Sequence, residues 1–124
     1  MVPLNNIKSL SIDSSYDKVL EFIKKYTYTR VPLFEEEPSQ ITGYLNVYKY
    51  LVDPNAPKRK VLDYLQPIES LALDVSVTAA INYMNRRNLK MVLVVRPAAG
   101  KPKAIGIVTM KDLVEEIFGE LTEW

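Results

Sequence analysis

Gly106-Ile107-Val108-Thr109-Met110-Lys111-Asp112-Leu113 is the stretch on which the fold turns. It reads as a buried strand that stops at Thr109 and passes directly into a helix. Apolar residues follow at Met110, Leu113, Val114, Ile117, Phe118 and Leu121, which share one helical face. Such a junction leaves free backbone N–H groups at the positive end of a helix, where anions are favoured. A hydroxyl at Thr109 and a carboxylate at Asp112 stand one turn apart there. Gly106 lets another group approach the strand closely. The arrangement has two readings. One is a cradle for a sugar and a phosphate. The other is a capping box, in which Thr109 accepts from the N–H of residue 112 and the acid reaches back.

The same plan occurs twice. Ile12-Asp13-Ser14-Ser15-Tyr16 and Leu73-Asp74-Val75-Ser76-Val77 each open an amphipathic helix. The first helix buries Tyr16, Val19, Leu20 and Ile23; the second buries Val77, Ala80, Ile81 and Met84. Asp13 or Ser14, and Asp74, are the expected N-caps. The apolar runs Val31-Pro32-Leu33-Phe34 and Met91-Val92-Leu93-Val94-Val95 come next. Polar loops separate them from Ile41 to Asn46 and from Ala104 to Thr109, and a helix follows each. Strand–helix–strand–strand–helix thus recurs after about sixty residues. The fold class is mixed α and β, of the α+β or α/β type, in two βαββα repeats packed as one module. The repeats are placed at 1–53 and 61–124, joined by a linker at 54–60. Pro32 inside an apolar run points to an edge strand or to a position facing a ligand.

Composition narrows the function. Hydrophobic residues make up 48% of the chain and charged residues 25%, a globular composition. A net charge of +1 gives no footprint for nucleic acid. No apolar stretch reaches the roughly 18 residues that cross a bilayer. With no Cys and no His, thiol catalysis, disulfides and His-based metal sites or triads are excluded. No spacing of Asp, Glu, Lys, Tyr or Ser suggests a catalytic site, so no enzyme and no metal centre are expected.

Two βαββα repeats ending in Gly-x-x-Thr-x-x-Asp resemble a tandem pair of cystathionine-β-synthase (CBS) domains, a Bateman module. Tyr28-Thr29-Arg30-Val31-Pro32-Leu33-Phe34 is similar to the Tyr-Thr/Ser-Arg-Ile-Pro-Val motif of the magnesium and cobalt efflux family, the CorC and cyclin-M-like transporters. Met1-Val2-Pro3 resembles that family's Met-Thr-Pro entry. The run from Gly106 to Glu120 resembles its Gly-Ile-Val-Thr-Leu-Glu-Asp signature. The resemblance implies a cytoplasmic piece of a longer inner- or plasma-membrane protein. Such a piece would be a homodimer that binds an adenine nucleotide, ATP or AMP, with Mg²⁺ favouring ATP. It would regulate a parent transmembrane domain that moves divalent cations. The residues it implies are Tyr28, Arg30 and Pro32 from the first repeat, and Thr109 and Asp112 from the second. The alternative is a structural dimerisation and coupling module with no nucleotide bound.

The sequence departs from the family pattern at Val2, which replaces a Thr, in the loop from Arg96 to Lys103, which lacks an acidic-Gly turn, and at Asn46-Val47-Tyr48-Lys49, which replaces Thr-x-x-Asp. Lys49 is a donor only and cannot accept from a ribose hydroxyl. One nucleotide per chain is therefore expected. Isothermal calorimetry with ATP checks this, and a stoichiometry near two per chain would show the first repeat misread.

Overall fold

A computed structural model of the chain describes residues 1–98 and 100–122. Phe118 and Leu121, expected on the apolar face of the last helix, have side chains outside those described. The chain divides into two compact units, Lys8–Ile68 and Met1–Ile7 with Glu69–Trp124. In chain order the elements begin with β1 (Val2–Pro3), β2 (Leu10–Ser11), α1 (Tyr16–Lys25), β3 (Arg30–Phe34), β4 (Ile41–Asn46) and α2 (Val47–Val52). They continue with β5 (Gln66–Pro67), β6 (Glu69–Ala72), α3 (Val77–Arg86), β7 (Met91–Arg96), β8 (Lys103–Thr109) and α4 (Met110–Thr122).

The two units repeat one architecture. In the first, the sheet order is β2-β3-β4-β5, with β2 and β3 parallel and the other pairs antiparallel. In the second, the order is β1-β8-β7-β6, with β6 and β7 parallel and the rest antiparallel. Each βαββα run thus forms three strands, and a two-residue strand next to the Gly-containing strand completes the sheet. In the first unit Val19 and Phe22 of α1 pack on Val31, Leu33 and Leu45, with Tyr50 of α2 beside them. In the second, Ala80 and Met84 of α3 pack on Val92, Val94 and Val108, with Leu113 of α4.

The helices begin where the apolar periodicity begins, and serines cap them. Ser15 Oγ accepts from the Lys18 N–H at 3.3 Å, and Ser76 Oγ accepts from the Ala79 N–H at 3.1 Å. This corrects the expected caps at Asp13, Ser14 and Asp74. A cap must hold extended backbone directly before the first helical residue. Ser15 (φ −72°, ψ 162°) and Ser76 (φ −65°, ψ 156°) do so. Asp13 instead sits in the preceding turn, its N–H donating to Ser11 Oγ at 3.1 Å.

The segment at 54–60 carries a 3-10 turn at Ala56–Lys58, and Ala56 is buried in the first unit's core. A hydrogen bond fixes the approach to it. The Tyr64 hydroxyl donates to Asp53 Oδ2 at 2.7 Å, while Asp53 Oδ1 accepts from the Asn55 N–H at 2.8 Å. Burial, and then this bond, push the Tyr64 hydroxyl up to about 12. The same bond, with help from Asn55, lowers the Asp53 carboxyl. Tyr50 lies edge-on to Tyr64 at 4.9 Å, and its buried hydroxyl finds no partner among the described residues.

Pro32 lies on an interior strand, not at a sheet edge. The sheet tolerates it because β2 is short. The ladder between β2 and β3 covers only Leu33 and Phe34, so at Pro32 strand β3 is paired with β4 alone. A missing N–H costs little where no second ladder runs.

Close approach explains both sheet glycines. Gly43 pairs with Pro67 and Gly106 with Pro3. A Cβ on Gly43 would land on the Gln66 carbonyl oxygen and the Leu65 side chain. One on Gly106 would come within 2.7 Å of the Val2 carbonyl oxygen and of the Met1 side chain. Gly43→Ala should therefore cost ~1–3 kcal/mol, the range for overpacking, because a backbone carbonyl must move. Gly106→Ala should cost less, since part of its obstacle is the flexible end of Met1. Urea denaturation of both variants checks the order, and equal midpoints to the parent would refute it.

Candidate functional site

The end of β8 and the start of α4 form a closed reciprocal pair. Thr109 Oγ1 accepts from the Asp112 N–H at 3.2 Å, and Asp112 Oδ2 accepts from the Thr109 N–H at 3.3 Å. Both groups are half-buried. The capping reading is thus realised in the fold, yet it leaves valences over. A carboxylate has about four acceptor positions, and the cap uses one of them. The Thr109 hydroxyl accepts in the cap, so its own proton remains to be donated. Asp112 can still accept from paired hydroxyls such as those of a ribose, and Thr109 can still donate to an anion. Behind them stands a helix of 13 residues with its positive end toward this corner.

The counterpart in the first unit differs in chemistry. Asn46 Oδ1 accepts from the Lys49 N–H at 3.1 Å and caps α2. The residue facing back is Lys49, whose exposed side chain carries no acceptor. The same local fold therefore gives an acceptor at the α4 corner and none at the α2 corner.

Of the other expected site residues, Arg30, Pro32 and Tyr28 all belong to the first unit, and Thr109 and Asp112 to the second. Alternation along β3 sends Val31 and Leu33 into the core and sets Arg30 and Pro32 on the opposite face. Arg30 is half-buried and makes no ion pair among the described residues. Pro32 is buried. Tyr28 has a packing role of its own: its ring lies 5.8 Å from Phe22 and 6.0 Å from Tyr26.

In the second unit the same alternation directs Val108 to the helix side of the sheet. Ile107 lies on the other side, next to Val2 across the β1–β8 ladder. Val2 thus stands where a Thr would add a hydroxyl to that face. Among the described residues no group of three or more His, Cys, Asp or Glu could hold a metal ion. No described helix is long and apolar enough to cross a membrane.

Sequence reasoning missed β1 and β5, and it missed the group that approaches Gly106, which is the chain's own first strand. The pattern Met-x-Pro near the N-terminus, recurring as Leu65-Gln66-Pro67, is the signal that pairs them.

Residues 61–119 match the family model of the CBS domain. The chain is 25% identical over 129 residues to the UPF0053 protein YrkA of Bacillus subtilis, covering 99% of this chain and 29% of YrkA. It is 25% identical over 142 residues to the metal transporter cnnm-5 of Caenorhabditis elegans, covering 99% of this chain and 20% of that protein. The chain therefore spans less than a third of either relative. Its fold is that of the CBS domain of a bacterial CNNM/CorC family Mg²⁺ transporter solved in complex with ATP, with a TM-score of 0.83, 23% identity, and 96% of this chain and 84% of that one covered. Residues 61–119 thus match a CBS domain, and nearly the whole chain is similar to part of the UPF0053 and CNNM/CorC proteins and shares the fold of their CBS module.

Proposed function

We propose that the chain is a regulatory CBS pair that binds one adenine nucleotide, ATP or AMP, and passes its bound state to a divalent-cation transport domain of a parent protein. The observation that carries this reading is the Thr109–Asp112 corner, where a capped helix end keeps a free hydroxyl proton and free carboxylate lone pairs. Asp112 accepts from the ribose hydroxyls, a charge-assisted contact. Thr109 and the N-terminus of α4 face phosphate. Arg30 supplies the cation for the phosphates, and Tyr28 and Pro32 line the pocket from the first repeat. The ATP complex of the similarly folded CNNM/CorC domain supports nucleotide as the ligand class.

Mg²⁺ favours ATP by lowering the repulsion of a tetraanion that few cationic side chains meet. The repeats are taken as 1–53 and 61–124 with the linker at 54–60, and the module stands on the cytoplasmic side of its membrane-bound parent.

A second reading, a dimerisation and coupling module without nucleotide, is favoured by one surface. On α2, Tyr48, Leu51 and Val52 are 67%, 50% and 78% exposed, an apolar face on a six-residue helix. Leu113 of α4 is buried within its own unit at 5% exposure and adds nothing to such a surface. A homodimer is part of both readings, and Tyr48 and Leu51 are its best contributors.

Two experiments separate the readings. In calorimetry with ATP, Asp112→Ala should weaken binding by ~1.5–3 kcal/mol, the range for a hydrogen bond to a charged group. Loss of the cap adds about 1 kcal/mol of destabilisation, read independently by urea denaturation. Arg30→Ala should weaken ATP more than adenosine. Parent-like ATP binding by both variants would leave only the capping role. In sedimentation, Tyr48→Ser with Leu51→Ser should convert dimer to monomer; a parent chain already monomeric at tens of micromolar would remove the homodimer from both readings.

A further inference from the structure

The segment from Asp53 to Tyr64 closes on itself within the first unit. The Tyr64 hydroxyl donates to Asp53 Oδ2 at 2.7 Å and ties its two ends. Inside that loop, Ala56 and Val61 are 2% and 1% exposed and belong to the unit's core. Between these two anchors the chain runs Pro57-Lys58-Arg59-Lys60, and all four residues are exposed. Three adjacent cations are therefore presented on a loop that is pinned on both sides.

The fold makes little use of these charges. None of the three forms an ion pair among the described residues. The acids of the same loop are engaged otherwise. Asp53 accepts from the Tyr64 hydroxyl and the Asn55 N–H, and Asp63 Oδ2 accepts from the Lys60 N–H at 3.3 Å. Like charges side by side repel one another, so the run adds nothing to folding by itself. Exposed aliphatic side chains flank it in sequence on both sides. Val52, at the end of α2, is 78% exposed, and Leu62, next to the anchor Val61, is 47% exposed. Aliphatic groups beside cations suit a surface that is anionic outside and hydrocarbon within. Nucleic acid is a poorer match. Bases stack on flat aromatic faces, which Val52 and Leu62 do not offer, and a net charge of +1 gives no wider positive field.

We propose that Lys58, Arg59 and Lys60, with Val52 and Leu62, dock the first unit on a bilayer surface rich in anionic phospholipid. The cations meet the headgroups, and the two aliphatic side chains enter the boundary with the acyl chains. The docking depends neither on nucleotide binding nor on the dimer surface at Tyr48 and Leu51.

The test is co-sedimentation of the whole chain with vesicles of phosphatidylcholine containing phosphatidylserine. Retention is expected on these and not on phosphatidylcholine alone, and it should fall as salt is raised. A Lys or Arg near an anionic bilayer is worth about fivefold in partition. Lys58→Gln with Arg59→Gln and Lys60→Gln should therefore lower retention about a hundredfold. All three residues are exposed, so the urea midpoint should be kept. Lys18→Gln with Lys24→Gln and Lys25→Gln removes the same charge from exposed positions of α1 and should leave most of the retention. Val52→Ser with Leu62→Ser should weaken retention several-fold and keep its salt dependence. No retention of the parent chain, equal loss in the two charge variants, full retention without the aliphatic side chains, or tighter capture of oligothymidylate than of the vesicles would each overturn the proposal.

Discussion

Each sheet depends on one close approach of two backbones. A strand of two residues makes too few hydrogen bonds to hold itself in place, so β1 and β5 must lie flat on their neighbours to belong to a sheet at all. Gly43 and Gly106 permit that by presenting no Cβ to the Gln66 and Val2 carbonyls. The partners opposite them are prolines, Pro67 and Pro3, which lack an N–H and suit an outermost strand. In the second unit this contact also joins residues far apart in sequence, because the first seven residues pack with Glu69 onward. Fixing that strand also fixes Val2 beside Ile107 and Met1 against Gly106.

The corner at Thr109 shows how a structural motif leaves hydrogen-bonding capacity over. A capping box satisfies two otherwise orphaned N–H groups. It also holds a hydroxyl and a carboxylate in fixed rotamers without ligand, so their side-chain entropy is already spent before anything binds. Rigid placement does not exhaust their hydrogen-bonding capacity. The Thr-x-x-Asp corner therefore keeps a fixed carboxylate acceptor that the α2 corner lacks, where Asn46 caps the helix but Lys49 has no acceptor to return the bond.

Periodicity made the large elements legible. Helical faces at Tyr16 and Val77, the apolar runs of β3, β4, β7 and β8, and their repetition follow from residue spacing alone, and the observed elements match them. The close approach at Gly106 was legible too, but not its partner, because a two-residue strand has no alternation to read. The caps were misplaced by one or two residues because Asp and Ser cluster before both helices, and only backbone angles distinguish a cap from a turn. Pro32 pointed to an edge strand or a position facing a ligand; it lies on an interior strand, at a point where only one ladder runs, because the extent of the β2 ladder is set by tertiary pairing. Of the site, Thr109 and Asp112 stood out through the motif, and the structure shows them in contact. Arg30 was legible only through family resemblance, since one arginine in a strand has no periodicity to mark it.

Comparing the two repeats separates what holds the fold from what the fold is used for. Gly43 and Gly106, Pro67 and Pro3, and Ser15 and Ser76 are the same residue in both units and serve the same backbone purpose. Lys49 and Asp112 differ in charge at equivalent helix corners. A cap needs one side-chain oxygen, which Asn46 and Thr109 both supply. The residue one turn on is free to differ, and only in the second unit is it a carboxylate that reaches back to the strand end.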